Sequence, residues 1–154
     1  MSERLTEGRA RRISDDIQLV FMGRSIERFF GPEAIDVLVE HRNRKTRESW
    51  KRRARNCGRQ GPGNLLCLFD HDAHEFEIIR NDERRLEVVV TRCVHAETFK
   101  QYNAVDLGER LICSGDQAVV EGNNRDMVFR RPTTCMTGNR CHFIFSLDAP
   151  AATE

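Results

Sequence analysis

One tryptophan and one tyrosine are all that the 154 residues hold of the two polar aromatics. That scarcity argues against a single-strand nucleic-acid binder, which stacks bases on such rings. No apolar stretch is long enough to cross a bilayer, and the opening MSERLTEGRARR lacks the apolar segment of a secretory signal. A cytoplasmic protein without a membrane span is the expectation. There is no CxxC pair, which removes the zinc-ribbon spacing, and neither a P-loop nor an internal repeat. What is present is 39% hydrophobic and 32% charged residues, the composition of a single globular domain with a heavily charged surface. Six cysteines in a mid-sized chain without an export signal read as free thiols or ligands.

Net charge is only +1, yet it is unevenly placed. Residues 1–59 carry 15 basic and 9 acidic groups, a balance of +6, against 10 and 15, or −5, in residues 60–154. The excess peaks in HRNRKTRESWKRRARNCGRQ (41–60), with nine Lys or Arg and one Glu. A nucleic-acid partner for the basic helix 42–55 is one reading. A solvated helix face is the stronger expectation, because no binding motif accompanies the charges.

Residues 1–13 are polar and without periodicity and read as a flexible N-terminus, as do 149–154 at the other end. Between them, 14–148 reads as one domain. Ser14 and Asp15 can cap a helix whose Ile17, Val20, Phe21, Met22, Ile26, Phe29 and Phe30 recur at three- and four-residue spacing as a core face, ended by Gly31 and Pro32. A second helix starts at Glu33, packs Ala34, Ile35, Val37, Leu38 and His41, continues as a cationic rod pinned by Trp50 and Ala54, and stops at Gly58. After the loop GRQGPG, NLLCLFDHD suggests short helical turns. EFEIIR (75–80) and RLEVVVTR (85–92) form a hairpin around NDE, with Leu86, Val88 and Val90 on one face and Glu87, Val89, Thr91 and then Cys93 on the other. Residues 95–102 and 106–121 look helical. DMVFRRPTT (126–134) and RCHFIFSL make a last hairpin around TGN (137–139). The pattern is α+β: N-terminal helices packed on a small antiparallel sheet of two hairpins, with two helices inserted between them.

Cys93 leaves a strand, Cys113 sits in a helix and Cys141 lies on the inward side of the last strand. Any one of them is by default a small buried hydrophobe. Together, strand ends and one helix face can bring them to a single pocket. Cys93 stands just ahead of a helix start, whose dipole and free N–H groups lower a thiol pKa. His95, two residues on, can serve as a base, but capping that helix or facing solvent is the stronger expectation. Asp116, three residues after Cys113, shares its face and either caps a helix or moves a proton. Of the adjacent pair Arg130 and Arg131 only one can point inward, where it would suit a carboxylate.

VTRCVHAETFKQYNAVDLGERLICSGDQAV and FRRPTTCMTGNRCHF resemble the L-2-amino-thiazoline-4-carboxylic acid hydrolase family. The likeness rests on Cys93, Ala96, Glu97, Phe99, Cys113, Asp116, Arg131, Thr134, Gly138, Cys141 and Phe143, and the helical first half, FFGPEAIDVLVEHR included, is similar but less specific. The resemblance implies hydrolytic opening of a small five-membered cyclic amidine, with water or a thiolate adding to the ring C=N carbon. It implies Cys93, Cys113, Asp116 and Cys141 as the catalytic set, Cys93 or Cys113 as nucleophile, and Arg131 with Thr134 holding a small-molecule carboxylate. The sequence itself calls for no cofactor and leaves zinc or iron open. The alternative is a non-catalytic metal or redox module in which Cys93, Cys113 and Cys141, with His142 or an open position as fourth ligand, hold zinc or iron. A homo-oligomer stays open.

Overall fold

The first helix begins earlier than its apolar periodicity indicates. In the computed structural model, which describes residues 6–57 and 60–147, α1 spans Glu7–Phe30 with Thr6 as N-cap, its hydroxyl accepting from the Arg9 N–H at 3.1 Å. The expected start at Ser14 is therefore corrected. The basic run GRARR is helical because it is tied to an acidic loop more than 55 residues away: Arg12 pairs with Asp70, and Arg9 donates to the Asp72 carbonyl. The expected helix stop at Gly58, residues 1–5 and the terminal stretch 149–154 lie outside the described residues.

The face that α1 buries also differs from expectation. Asp16, Val20 and Gly23 turn inward, whereas Phe21, Met22, Phe29 and Phe30 are exposed, Phe30 to 77%. A helix apolar on two sides gives its periodicity no single answer. Gly31, at φ 86°, supplies the left-handed turn that ends α1, and α2 (Glu33–Cys57) follows. Its inner stripe runs through Ile35, Val39, Trp50 and Ala54; Val37, Leu38 and His41 are exposed, because they lie off that stripe. Arg42 is no surface cation either. It turns in to donate to the Leu111 carbonyl and to Ser114 Oγ.

A 3-10 turn over Pro62–Leu68 leads to β1 (His74–Asn81) and β2 (Arg85–Cys93), joined at Asp82, whose carboxylate accepts from the N–H groups of Arg84 and Arg85. After β2 come α3 (Val94–Gln101), α4 (Val105–Gly108), a π turn over Glu109–Cys113, and α5 (Gly115–Asn123). The expected helix over 106–121 is thus broken in the middle by a widened turn, with Ser114 N–H bonded to the Glu109 carbonyl. The last hairpin is shorter than expected: β3 is only Val128–Arg130, since Pro132 cannot continue the ladder, and a loop carries the chain to β4 (Cys141–Ser146).

The four strands form one antiparallel sheet in the order β1-β2-β4-β3, and the architecture is α+β as expected. Leu86, Val88 and Val90 of β2 and Phe143 and Phe145 of β4 are buried on the sheet face that meets Phe99, Leu107 and Val120 of the helices. Phe69 closes the core edge-on against Phe143, with ring centroids 5.0 Å apart. One irregularity of the ladder matters for the site. Phe76 pairs with Val90 but Glu75 with Arg92, so Thr91 is an extra residue in β2.

Candidate active site

Thr91 decides where Cys93 points. In an unbroken strand Cys93 would share the outer face with Glu87 and Val89, as the alternation leads one to expect. A bulge residue shifts the alternation by one, so Cys93, now opposite His74, turns to the inner face. It enters a cavity of about 160 Å³ lined also by Cys113, Cys141, Asp116, Arg131, His74 and His95. The helical wall comes from the π turn and the first turn of α5, which place Cys113 and Asp116 three residues apart on one side. Such widened turns recur at functional sites because they redirect side chains. The apolar remainder of the lining includes Phe69, Val90, Ile112 and Phe143.

Arg131, just beyond β3, leans over the rings of Phe143 and Phe129 at 5.6 and 6.0 Å. Its guanidinium is paired with Asp116 and reaches the Cys113 carbonyl at 3.4 Å. Arg130 is exposed. Thr134 is not in the lining but stands behind it, Oγ1 lying 3.9 Å from Cys141 Sγ. Its neighbour Cys135 is buried, donates its backbone N–H to Cys141 Sγ at 2.9 Å and points its thiol at the Val90 carbonyl.

The cavity thiols differ in acidity. Burial pushes Cys93 up to about 12, overriding the nearby N–H groups of Ala96 and His95. The expected activation of Cys93 by the helix start is therefore outweighed: desolvation of a thiolate costs more than one short helix returns. Burial likewise takes Cys113 up to about 11, with Arg131 pulling the other way. Cys141 moves in the opposite direction. The adjacent Cys135 side chain, ahead of the Cys135 N–H, Thr134 and Arg131, holds it below the ordinary thiol range against burial. Asp116 is raised by burial to about 6 despite Arg131. His74 is lowered by burial to about 4, with His95 adding to the effect, and its buried Nδ1 has no hydrogen-bond partner among the described residues.

Two sequence expectations fail on contact with this geometry. His142 points to the other face of the sheet, where Nε2 meets Glu87 Oε1 at 2.6 Å, because adjacent strand residues alternate. It cannot join Cys141 as a metal ligand, and among the described residues no group of three or more His, Cys, Asp or Glu is arranged to hold a metal ion. His95 is neither a cap nor solvent-facing. Its Nδ1 lies 2.7 Å from Oδ2 of Asp16, which is 2% exposed.

Asp16, His74 and Cys135 are thus the site residues that sequence reasoning passed over, and His95 is one it ranked below a cap or a solvent-facing side chain. Asp16 carried one signal, a lone carboxylate four residues before buried Val20 on the inner stripe of α1. Cys135 carried another, six residues before Cys141 across a Thr-Gly turn.

No helix of the described residues is long and apolar enough to cross a membrane. No curated protein and no solved structure matches the chain. The model of a family described as L-2-amino-thiazoline-4-carboxylic acid hydrolase matches residues 10–145, a span that holds every cavity residue named above. The chain belongs to the L-2-amino-thiazoline-4-carboxylic acid hydrolase family.

Proposed function

We infer that the protein hydrolyses a small cyclic amidine that carries a carboxylate, in the manner of 2-amino-thiazoline-4-carboxylate ring opening, and that Cys141 is its nucleophile. The observation that carries this reading is the meeting of Cys93, Cys113, Cys141, Asp116 and Arg131 around one cavity of about 160 Å³. A cavity of roughly 150 Å³ holds a benzene-sized ring, so a five-membered ring with an amino group and a carboxylate is close in size. The substrate pairs a basic N–C–N unit with an anion, and the cavity offers a carboxylate beside a guanidinium. Arg131 spends one nitrogen on Asp116 and the Cys113 carbonyl; its remaining N–H groups suit a substrate carboxylate.

The Cys141 thiolate adds to the C=N carbon, forming a carbon–sulfur bond. The ring bond from that carbon to the leaving heteroatom breaks, and the heteroatom takes a proton from Asp116, whose raised pKa of about 6 suits it to give and retake one near neutrality. Water then adds to the same carbon, the bond to Cys141 breaks, and the open-chain product leaves with one water incorporated. Cys93 and Cys113, neutral at pH 7, frame the ring with soft apolar surface.

Incubation with 2-amino-thiazoline-4-carboxylate, followed by chromatography of the ring-opened product, tests this. The native protein is expected to turn it over, and Cys141→Ala to lose at least about 1000-fold in kcat, as removal of a nucleophile does. Undiminished turnover by Cys141→Ala overturns the assignment of the nucleophile; absence of turnover by the native protein overturns the substrate class.

A further inference from the structure

The Asp16–His95 pair has no part in the steps that Cys141, Asp116 and Arg131 account for. We propose that His95 is the general base for the water step and that Asp16, from the far end of the sequence, is the positioning residue that holds it. The role rests on the thiol chemistry of Cys141 proposed above.

Asp16 is almost fully buried on the inner stripe of α1, a place where an unpaired carboxylate costs several kcal/mol. Its partner is 79 residues away in sequence, on the first turn of α3, and the two helices pack so that Nδ1 and Oδ2 stand 2.7 Å apart. With Nδ1 as the donor to a carboxylate, the ring's lone pair sits on Nε2. His95 lines the cavity on which Cys93, Cys113 and Cys141 also open, and with Nδ1 held by Asp16 its other nitrogen is the one left for a base. On the other side of His95 stands His74, ring centroids 6.1 Å apart, which burial keeps neutral at pH 7. A neutral neighbour does not compete for Asp16. The base is therefore oriented by one carboxylate, in the arrangement that fixes tautomer and direction for proton transfer.

The chemistry balances. As a water oxygen bonds to the carbon attached to Cys141, its proton moves to His95 Nε2. The carbon–sulfur bond then breaks, its electron pair returning to Cys141 as thiolate, and His95 releases its proton to solvent or to the departing product.

Rapid-quench intact-mass analysis with 2-amino-thiazoline-4-carboxylate separates this role from the reading beneath it. In His95→Gln the Cys141 adduct is expected to form and accumulate to about one per chain, with breakdown slowed roughly 100- to 10,000-fold, and added imidazole should hasten its decay in His95→Ala. Asp16→Asn should lower kcat on the order of 10-fold or more with KM little changed, and Asp16→Glu should recover part of it. An adduct that decays as fast in His95→Gln as in the native protein overturns the role of His95 while leaving Cys141 in place. Turnover without any adduct in either protein overturns the thiol reading and this role with it. Folding of each variant is checked by its thermal transition, and a KM change equal to the kcat change in Asp16→Asn rejects positioning.

Discussion

At the scale of single residues, the cavity sorts chemically identical thiols by what surrounds each sulfur. Cys141 receives the backbone N–H of Cys135 and has the Cys135 side chain beside it, whereas Cys93 and Cys113 are buried with little compensation. Cys135→Ala keeps the N–H and removes the thiol, so the pH midpoint for alkylation of Cys141 by iodoacetamide is expected to rise by about one unit or more, a differential interaction of about 1.4 kcal/mol. Peptide mapping across pH 5–9 reads it, and an unchanged midpoint rejects the role of Cys135. The sequence made Cys93, Cys113, Asp116, Arg131 and Cys141 recognisable as a set, and all five line the cavity. It did not rank the thiols, because helix position was visible and desolvation was not. Nor did it favour His95 as a base over a cap, since its partner Asp16 lies in another element and no local pattern links them.

At the scale of elements, the strands were legible because period-2 alternation survives in a half-buried sheet, and the two hairpins fall where turn residues place them. Thr91 was not, since a bulge leaves the composition of a strand unchanged while reversing which side its last residues face. The start of α1 escaped for a different reason: Arg9 and Arg12 are held by a loop beyond Asn64, so local apolar spacing had nothing to report. The tightest helix contact is that of α2 and α5. A Cβ on Gly122 would lie 2.7 Å from both the Arg47 carbonyl oxygen and Trp50 Cβ. Backbone cannot swing aside as a side chain can, so the helix-propensity gain of about 1 kcal/mol for alanine is overridden by about 1–3 kcal/mol of overpacking beyond it. Gly122→Ala should lower Tm by roughly 2–10 °C on the usual scaling for a chain of this size. Gly61→Ala, where the nearest atom is 3.8 Å away, serves as the control, and equal melting of the two variants rejects the contact as the cause.

At the scale of the whole molecule, two cavity groups couple stability to pH in opposite directions. Asp116 folds with a pKa of about 6 against an ordinary 3.8, so between those values the native state holds a proton that the unfolded chain has lost. Its contribution is full below about pH 4 and is lost as pH rises through 6. His74 folds with a pKa of about 4 against 6.5, so the unfolded chain binds the proton first on acidification. Its contribution is full above about pH 6.5 and is lost as pH falls towards 4. Each is worth on the order of 3 kcal/mol by linkage, and in the native protein they largely offset one another across the shared window. Substitution removes the offset. Relative to the native protein, Asp116→Asn is expected to gain stability as pH rises from 4.5 to 7, and His74→Gln to gain it as pH falls over the same range. Urea unfolding of the three proteins at several pH values gives the two difference curves, whose slopes should have opposite signs. A flat curve for either variant means that its group titrates alike in the folded and unfolded chain, and the buried environment described for that residue is then wrong. With both slopes present, the cavity leaves the fold nearly indifferent to pH between about 4 and 6.5 as far as these two groups go, because the cost of burying a carboxylate on α5 and that of burying an imidazole on β1 fall at opposite ends of the same interval.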